Sequence, residues 1–292
     1  MSSEPPIIRV GQFSESPVLA VARALGLDQK YGIDWSTERV ASSPGQFQSL
    51  ADGEIDIAIT SPDNVLLYAT TDQNPLKTQL NLSFLRTIDR GLGLALYTSD
   101  QVQSPHQLRG GRLGVDVPNS GFAFLLFAML EKLGVPRSDY ELESVGATPK
   151  RLAAITEGLV SGTILNAETA VAAQQEGLPR WSTSVDVSED YLGTVLVALA
   201  SVDSGIRSKF LELWEEATQV ILSSQAEELS RLLSNQPKLA SSEYLSILKS
   251  TEFGLLQDPV VNKNQLMVLA GIRSQFGAYE PSVDSIDKLL AG

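Results

Sequence analysis

Six short stretches place hydroxyl, amide or carboxylate side chains just ahead of apolar helical patterns. They are Ser14-Glu15-Ser16, Ser42-Ser43-Pro44, Ser61-Pro62-Asp63-Asn64, the Asp116–Phe122 loop with Asn119 and Ser120, Ala147-Thr148-Pro149, and Asn166-Ala167-Glu168. Hydroxyls and amides accept and donate hydrogen bonds, and the free N–H groups of a helix start lie beside them. The chemistry on offer is non-covalent recognition of a small polar molecule. The same residue types cap helices throughout α/β proteins, so capping and ligand contact both stand for each one. Glu15, Asp63 and Glu168 suit an amine-bearing ligand, or simply favour a first helical turn through its dipole. The helix starts themselves suit an anion. The two signals oppose each other and leave ligand charge open. Phe122 either stacks on a flat ligand or packs the core.

Covalent chemistry has little to work with. The chain has no cysteine and a single histidine, His106, which removes cysteine nucleophiles, thiolate metal sites and multi-histidine metal sites. His106 reads as structural, in a surface turn. No triad, phosphate loop or metal spacing is present. Glu15, Asp63, Asp116 and Glu168 are the carboxylates that a dry pocket would have to activate as a base. Arg86 and Arg90 offer either a carboxylate or sulfonate clamp or an ordinary ion pair. Tyr31 and Trp35 read as core or rim, and Trp181, just ahead of the return crossing, is a candidate for the cleft mouth.

The elements that position these loops emerge when the chain is compared with itself. "ERVASSPGQFQSLADGEIDIAITSPDNV" from Glu38 aligns without a gap on "ESVGATPKRLAAITEGLVSGTILNAETA" from Glu143. In that register Pro44 meets Pro149, Gly53 meets Gly158, Ile59 meets Ile164, and Ser61 meets Asn166. Upstream, "IIRVGQFSESPVLAVARALGL" resembles "GGRLGVDVPNSGFAFLLFAMLEKLGV", each a strand, a polar loop and a helix closed by glycine. Each copy predicts β–loop–α–β–loop–α–β–loop–α, which argues for a parallel sheet with right-handed crossovers. The period-2 isoleucines Ile55, Ile57 and Ile59 predict a strand, with Ser61 as N-cap and Pro62 opening the next helix. Leu92–Tyr97 and Asp190–Ser201 predict two crossing strands between the copies. The remainder predicts a helical tail that packs back on the first copy. The expected division is residues 1–97 with 195–292 as lobe 1 and 98–194 as lobe 2. In open parallel sheets ligands bind beyond the strands' carboxyl ends, so the six loops are expected to face one another across a cleft.

Composition narrows the partners. Of 292 residues, 43% are hydrophobic, and 22 basic against 35 acidic residues give a net charge of −13. That argues for a globular chain and against a nucleic-acid or anionic-membrane surface. No apolar run is long enough for membrane insertion. The start, "MSSEPPIIRVGQF", has no basic segment followed by an apolar one. The expectation is an extracytoplasmic protein if a leader has been removed, and a cytoplasmic one if Met1 is the true start.

The order "SPVLAVARALGLDQKYGIDW", "SLADGEIDIAI", "QLRGGRLGV" and "ITEGLVSGTILNAETAVAAQQEG" resembles the substrate-binding proteins of the nitrate/sulfonate/taurine and thiamine-precursor type. The resemblance covers nearly the whole chain. It implies a two-lobed type II periplasmic-binding-protein-like fold, α/β in class, with two crossing strands and a helical C-terminal tail. It further implies a monomer without a cofactor that closes on a small organic ligand and hands it to an ABC permease. Carried onto this sequence, the contacts fall at Ser14, Glu15, Ser16, Ser42, Ser61, Asp63, Asn64, Asn119, Ser120, Asn166 and Glu168, and Phe122 joins them from its place in the loop. There are departures: no lipobox cysteine is present, and Ser161-Gly162 stands where the family often has an acidic-small pair. Pyrimidine synthases and sulfinate desulfinases of similar appearance rely on histidine and cysteine that this chain lacks. The alternative reading is a cytosolic decarboxylase- or lyase-like enzyme, or a small-molecule sensor, on the same scaffold.

Overall fold

The computed structural model describes residues 5–277 and 279–291. Met1, on which the expected location turns, lies outside them. In the first half the chain runs β1 (Ile7–Gln12), α1 (Pro17–Ala24), α2 (Leu27–Tyr31), β2 (Asp34–Arg39), α3 (Ser43–Ala51), β3 (Ile57–Thr60), α4 (Pro62–Thr70) and β4 (Leu82–Asp89). The second half runs β5 (Ala95–Thr98), β6 (Arg112–Val115), α5 (Gly121–Lys132), β7 (Glu141–Ser144), α6 (Thr148–Thr156), β8 (Gly162–Leu165), α7 (Ala167–Gln175), β9 (Arg180–Thr183) and α8 (Ser184–Val187). Then follow β10 (Thr194–Leu199), α9 (Ser204–Ser223), α10 (Ala226–Leu232), α11 (Ser242–Leu248), α12 (Lys263–Gln275) and α13 (Val283–Ala291).

Two five-stranded sheets share one plan. Their orders are β2-β1-β3-β10-β4 and β7-β6-β8-β5-β9. In each, the first three strands are parallel, as the alternating β and α segments predict. The fourth strand, one of the two crossing segments, is antiparallel to its neighbours, a direction that the three-strand repeat does not specify. The reason is the route of the chain. β10 enters the first sheet directly from residues of the second, and β5 enters the second directly from the first, so neither arrives through the helical crossover that parallel pairing requires. The two segments predicted to cross are therefore members of the sheets they enter.

The crossings meet closely. A Cβ on Gly193 would lie against the Gly91 backbone and 2.6 Å from Asp89 Oδ1, so the site accepts only glycine. Asp89 accepts hydrogen bonds from the Gly91 N–H (2.7 Å) and from the Thr194 hydroxyl, tying one crossing to the other.

The tail departs from expectation in where it packs. α9 lies on α1 and α13 on α4 and β4, all of the first sheet. But α11 packs on α7, and α12 packs on both α4 and α5, so the tail reaches helices of the second sheet as well as the first. Phe210, Leu213 and Trp214 on α9 are buried, the stripe its 3.6-residue period predicts. Truncating one such aromatic would cost about 3–5 kcal/mol.

Candidate functional site

Strand ends deliver the site. β1 stops at Gln12 and β3 at Thr60, and the residues that follow are Phe13-Ser14 and Ser61. In the second sheet β6, β7 and β8 deliver Asp116, the Ala147-Thr148 turn and Asn166. These loops enclose one cavity of about 70 Å³. The first sheet contributes Phe13, Ser14, Ile59, Thr60, Ser61, Asn64 and Thr194, and the second Asp116, Ser120, Phe122, Ala147, Thr148, Arg151 and Asn166. Of the twelve residues expected to bind ligand, Ser14, Ser61, Asn64, Ser120, Phe122 and Asn166 line it.

Local geometry distinguishes capping from availability. Ser16, Ser42, Ser61 and Ser120 each accept the N–H of a residue in the first turn of their own helix: Leu19 at 3.3 Å, Gly45 at 3.3 Å, Asp63 at 3.3 Å and Ala123 at 3.1 Å. They act as N-caps, worth about 1 kcal/mol each; Ser61 and Ser120 also face the cavity. The Ser120 hydroxyl is further committed to Asp116 Oδ1. Asn166 stands at the α7 N-cap yet makes no side-chain cap hydrogen bond, so its amide is free toward the cavity. The next residue, Ala167, holds φ at +49° and gives its N–H to the Leu92 carbonyl at 2.7 Å. A non-glycine residue in the left-handed region is backbone strain placed beside the site. Asn64 is 5% exposed; its Nδ2 donates to Thr60 Oγ1 (3.3 Å), while its Oδ1 has no partner among the described residues. A buried acceptor left unpaired costs about 1–3 kcal/mol unless something donates to it.

Six expected residues fall elsewhere. Asp63 is 2% exposed and paired with Arg273 of α12, Oδ1 to Nε at 2.8 Å. It serves the packing of the tail. Burial pushes its carboxyl upward and the Arg273 charge opposes the shift. Asn119 is exposed and contributes its carbonyl to Arg273 Nη2 at 3.3 Å. Glu168 faces a separate groove with Pro149 and Lys238 and lies 3.9 Å from Arg39 of the other sheet. Glu15 and Ser16 line two neighbouring cavities, one of about 190 Å³ shared with Arg23 and Trp35, the other of about 50 Å³ that adjoins the first cavity and shares Ser14, Ile59, Asn166 and Thr194 with it. Ser42 only caps α3. Arg86, the candidate clamp, is ion-paired with Glu215 at 2.5 Å, and Trp181 donates to Thr98 Oγ1 at 2.9 Å.

The lining residues not foreseen as ligand contacts are Phe13, Ile59, Thr60, Asp116, Ala147, Thr148, Arg151 and Thr194. Thr148 sits in a loop the sequence singles out, but Arg151 lies beyond it, one residue after a lysine, where a basic pair reads as helix surface. It is instead 2% exposed. Its Nη1 donates to the Gly146 carbonyl at 2.7 Å, and its Nε and Nη2 to the Ile164 carbonyl at 3.3 and 3.2 Å. Burial pulls its pKa down, and the nearby Asp116 charge opposes this. The lining thus combines two aromatic rings, one from each sheet, with hydroxyls, amides, one cation and one carboxylate. Such a surface can orient a small molecule by hydrogen bonds and exclude water from it. Among the described residues no group of three His, Cys, Asp or Glu is placed to hold a metal ion, and no helix is long and apolar enough to cross a membrane.

The model of the family described as NMT1/THI5 like matches residues 15–227, about three quarters of the chain and every one of the cavity loops except its first residues. The chain belongs to the NMT1/THI5-like family. No curated protein sequence matches this family member. Among solved structures, the alkanesulfonate-binding protein SsuA from Xanthomonas axonopodis pv. citri, bound to MOPS, is similar with a TM-score of 0.76 at 14% identity, covering 99% of both chains. The periplasmic nitrate-binding protein NrtA from Synechocystis PCC 6803 is similar at 0.77 and 14% identity, over 98% of this chain and 85% of that one. The Candida albicans CA3427 gene product, which exhibits the generic periplasmic-binding-protein fold, is similar at 0.72 and 17% identity, over 98% and 95%. This NMT1/THI5-like chain therefore has the periplasmic-binding-protein fold of type II that the resemblance implies, with mixed sheets and two crossing strands.

Proposed function

We propose that the protein is a solute-binding protein that captures a small organic molecule in the cavity between its two sheets for ABC-type import. The observation that carries this is the pairing of Asn64, with an unpartnered buried oxygen, and Asn166, a cap residue that caps nothing, on the same cavity from opposite sheets. The buried Asn64 oxygen is held unpaired at an energetic cost that a bound solute offsets, and the half-buried Asn166 amide stands uncommitted to its own helix opposite it. The sulfonate- and nitrate-binding neighbours support the same reading by their fold.

The two sheets act as lobes, residues 1–97 with 195–292 and residues 98–194, hinged where Gly91 and Gly193 meet. A solute touching both lobes favours the closed arrangement by its extra contacts there. The protein then delivers the solute, unchanged, to a permease, and works as a monomer.

A thermal-shift panel of thiamine precursors, alkyl and aryl sulfonates, aromatic carboxylates and amines tests this. A solute at one hundred times its Kd adds about 2.7 kcal/mol, which raises Tm by several degrees, with one solute bound per chain and the solute recovered intact. Consumption of the stabilising solute on incubation would refute capture without turnover.

A further inference from the structure

Arg151 presents a charge that its structural task does not require. In the register that pairs Glu38 with Glu143, Arg151 falls on Gln46 and Ile164 on Ile59. The contacts obey the same register. Gln46, fully buried in α3, donates from Nε2 to the Ile59 carbonyl at 3.0 Å and to Gly11 at 3.0 Å. Arg151, in α6, donates from Nε and Nη2 to Ile164. Both side chains tie a helix to the end of the strand that follows it. In the first half a neutral amide does this, so the tie itself needs no cation.

The difference lies in what each side chain faces. Gln46 is absent from the cavity lining, whereas Arg151 is part of it. All three hydrogen bonds that Arg151 donates go to two neutral carbonyls, and none of the ion pairs among the described residues includes it. A guanidinium carries five N–H groups in a planar fork suited to an oxyanion. A buried cation without a bonded anion is costly, which makes the anion's place in the cavity the low-energy position for a charged solute group. The opposite charge is also present. Asp116 lines the same cavity, with Oδ1 taken by Ser120, and across from it Asn64 Oδ1 awaits a donor. One cation and one carboxylate leave the empty lining neutral. A solute that is itself neutral overall but carries both charges keeps the closed cavity neutral, whereas a simple acid or a simple amine adds a net charge to a dry space.

We infer that the solute is an amphoteric organic acid, its oxyanion held by Arg151 and its amino group received by Asp116 and Asn64, with Phe13 and Phe122 flanking its apolar body. This rests on the cavity being the solute site. Arg151 is then the specificity-determining residue that distinguishes the two halves of the repeat.

The test uses two matched probe sets on the whole chain. One is 4-(aminomethyl)benzoate, 4-methylbenzoate, 4-methylbenzylamine and 4-methylbenzamide; the other is 4-aminobutanoate, butanoate, butylamine and butanamide. In the set that fits, the amino acid gives the largest rise in Tm and the tightest calorimetric Kd, at least tenfold tighter than the amide. Arg151→Gln, which reproduces the tie made by Gln46, weakens the acid-bearing probes at least tenfold and leaves the amine unchanged. Asp116→Asn weakens only the amine-bearing probes. The inference is overturned if the amide or amine matches the amino acid, if Arg151→Gln leaves acid binding intact, or if no acid in either set binds. The wild-type ranking decides the matter even where a variant fails to fold. Tight binding of a neutral probe would end the charge assignment and leave solute capture standing; turnover of a bound amino acid would do the reverse.

Discussion

Replacing Arg273 by methionine should expose the role of Asp63. The pair is 2% exposed on both sides and bonded at 2.8 Å. Arg273 also reaches the Asn119 carbonyl at 3.3 Å and lies 4.7 Å over the Phe124 ring, so a single side chain of α12 holds α4 and the start of α5 together. Gly121 packs so closely on Asp63 that a Cβ there would sit 2.7 Å from the Asp63 Cβ and 2.9 Å from its Oδ2. Methionine keeps most of the volume but leaves a buried carboxylate with neither oxygen paired, since Oδ2 already lacks a partner. Breaking such a pair costs about 3–5 kcal/mol. For a chain of this size that lowers Tm by roughly 5–8 °C. Asp63 can escape by taking a proton, so the loss is larger at pH 8 than at pH 5. The double variant Asp63→Asn/Arg273→Met removes both charges and recovers most of the loss, with a coupling of about 2–4 kcal/mol in a urea-denaturation cycle. Solute binding survives in the double variant because Asp63 lies outside the cavity. A single-variant cost below about 1 kcal/mol, or solute binding abolished while Tm is unchanged, would refute the structural assignment.

Asp89, buried between the crossings, has its carboxyl pushed up to about 6 by burial, against the Thr194 hydroxyl and the Gly91 N–H. The native state therefore holds its proton more tightly than the unfolded chain, whose carboxyl titrates near ~3.9. Its contribution to stability is complete below about pH 4 and is lost as pH rises through 6, about 3 kcal/mol in all. Asp89→Asn should gain on wild type by roughly 2 kcal/mol between pH 4.5 and 7.5 in denaturant unfolding; a pH-independent difference would contradict this. Gly193→Ala should cost about 1–3 kcal/mol or more, because the obstructing atoms are backbone. Gly271→Ala, in α12 with nothing within 4 Å of the new methyl, should instead gain up to about 1 kcal/mol; thermal unfolding that ranks the two alike would undo the contact argument.

The parts of this protein legible in sequence are those written locally. The β3–Ser61–Pro62 junction, the helices of the tail and the repeat register all depend on patterns within a few turns, and the register reappears in the contacts of Gln46 and Arg151. What escaped depends on distant partners. Asp63 resembles a ligand residue because Arg273 lies 210 positions away. The antiparallel fourth strands follow from which sheet a crossing enters, and no residue of β5 or β10 signals that. Arg151 looks like half of a surface basic pair because a long side chain can fold inward along its helix, and exposure is set by the packing of β8 beneath it. Thr194 reaches the cavity only because β10 is placed beside β3.

The central claim is that one solute sits between the two sheets. The direct measurement is a crystal structure with the most stabilising solute of the thermal-shift panel. The account predicts density in contact with Asn64 from the first sheet and with Arg151 and Asn166 from the second. Density confined to one sheet, or to the groove beside Glu168, would contradict it.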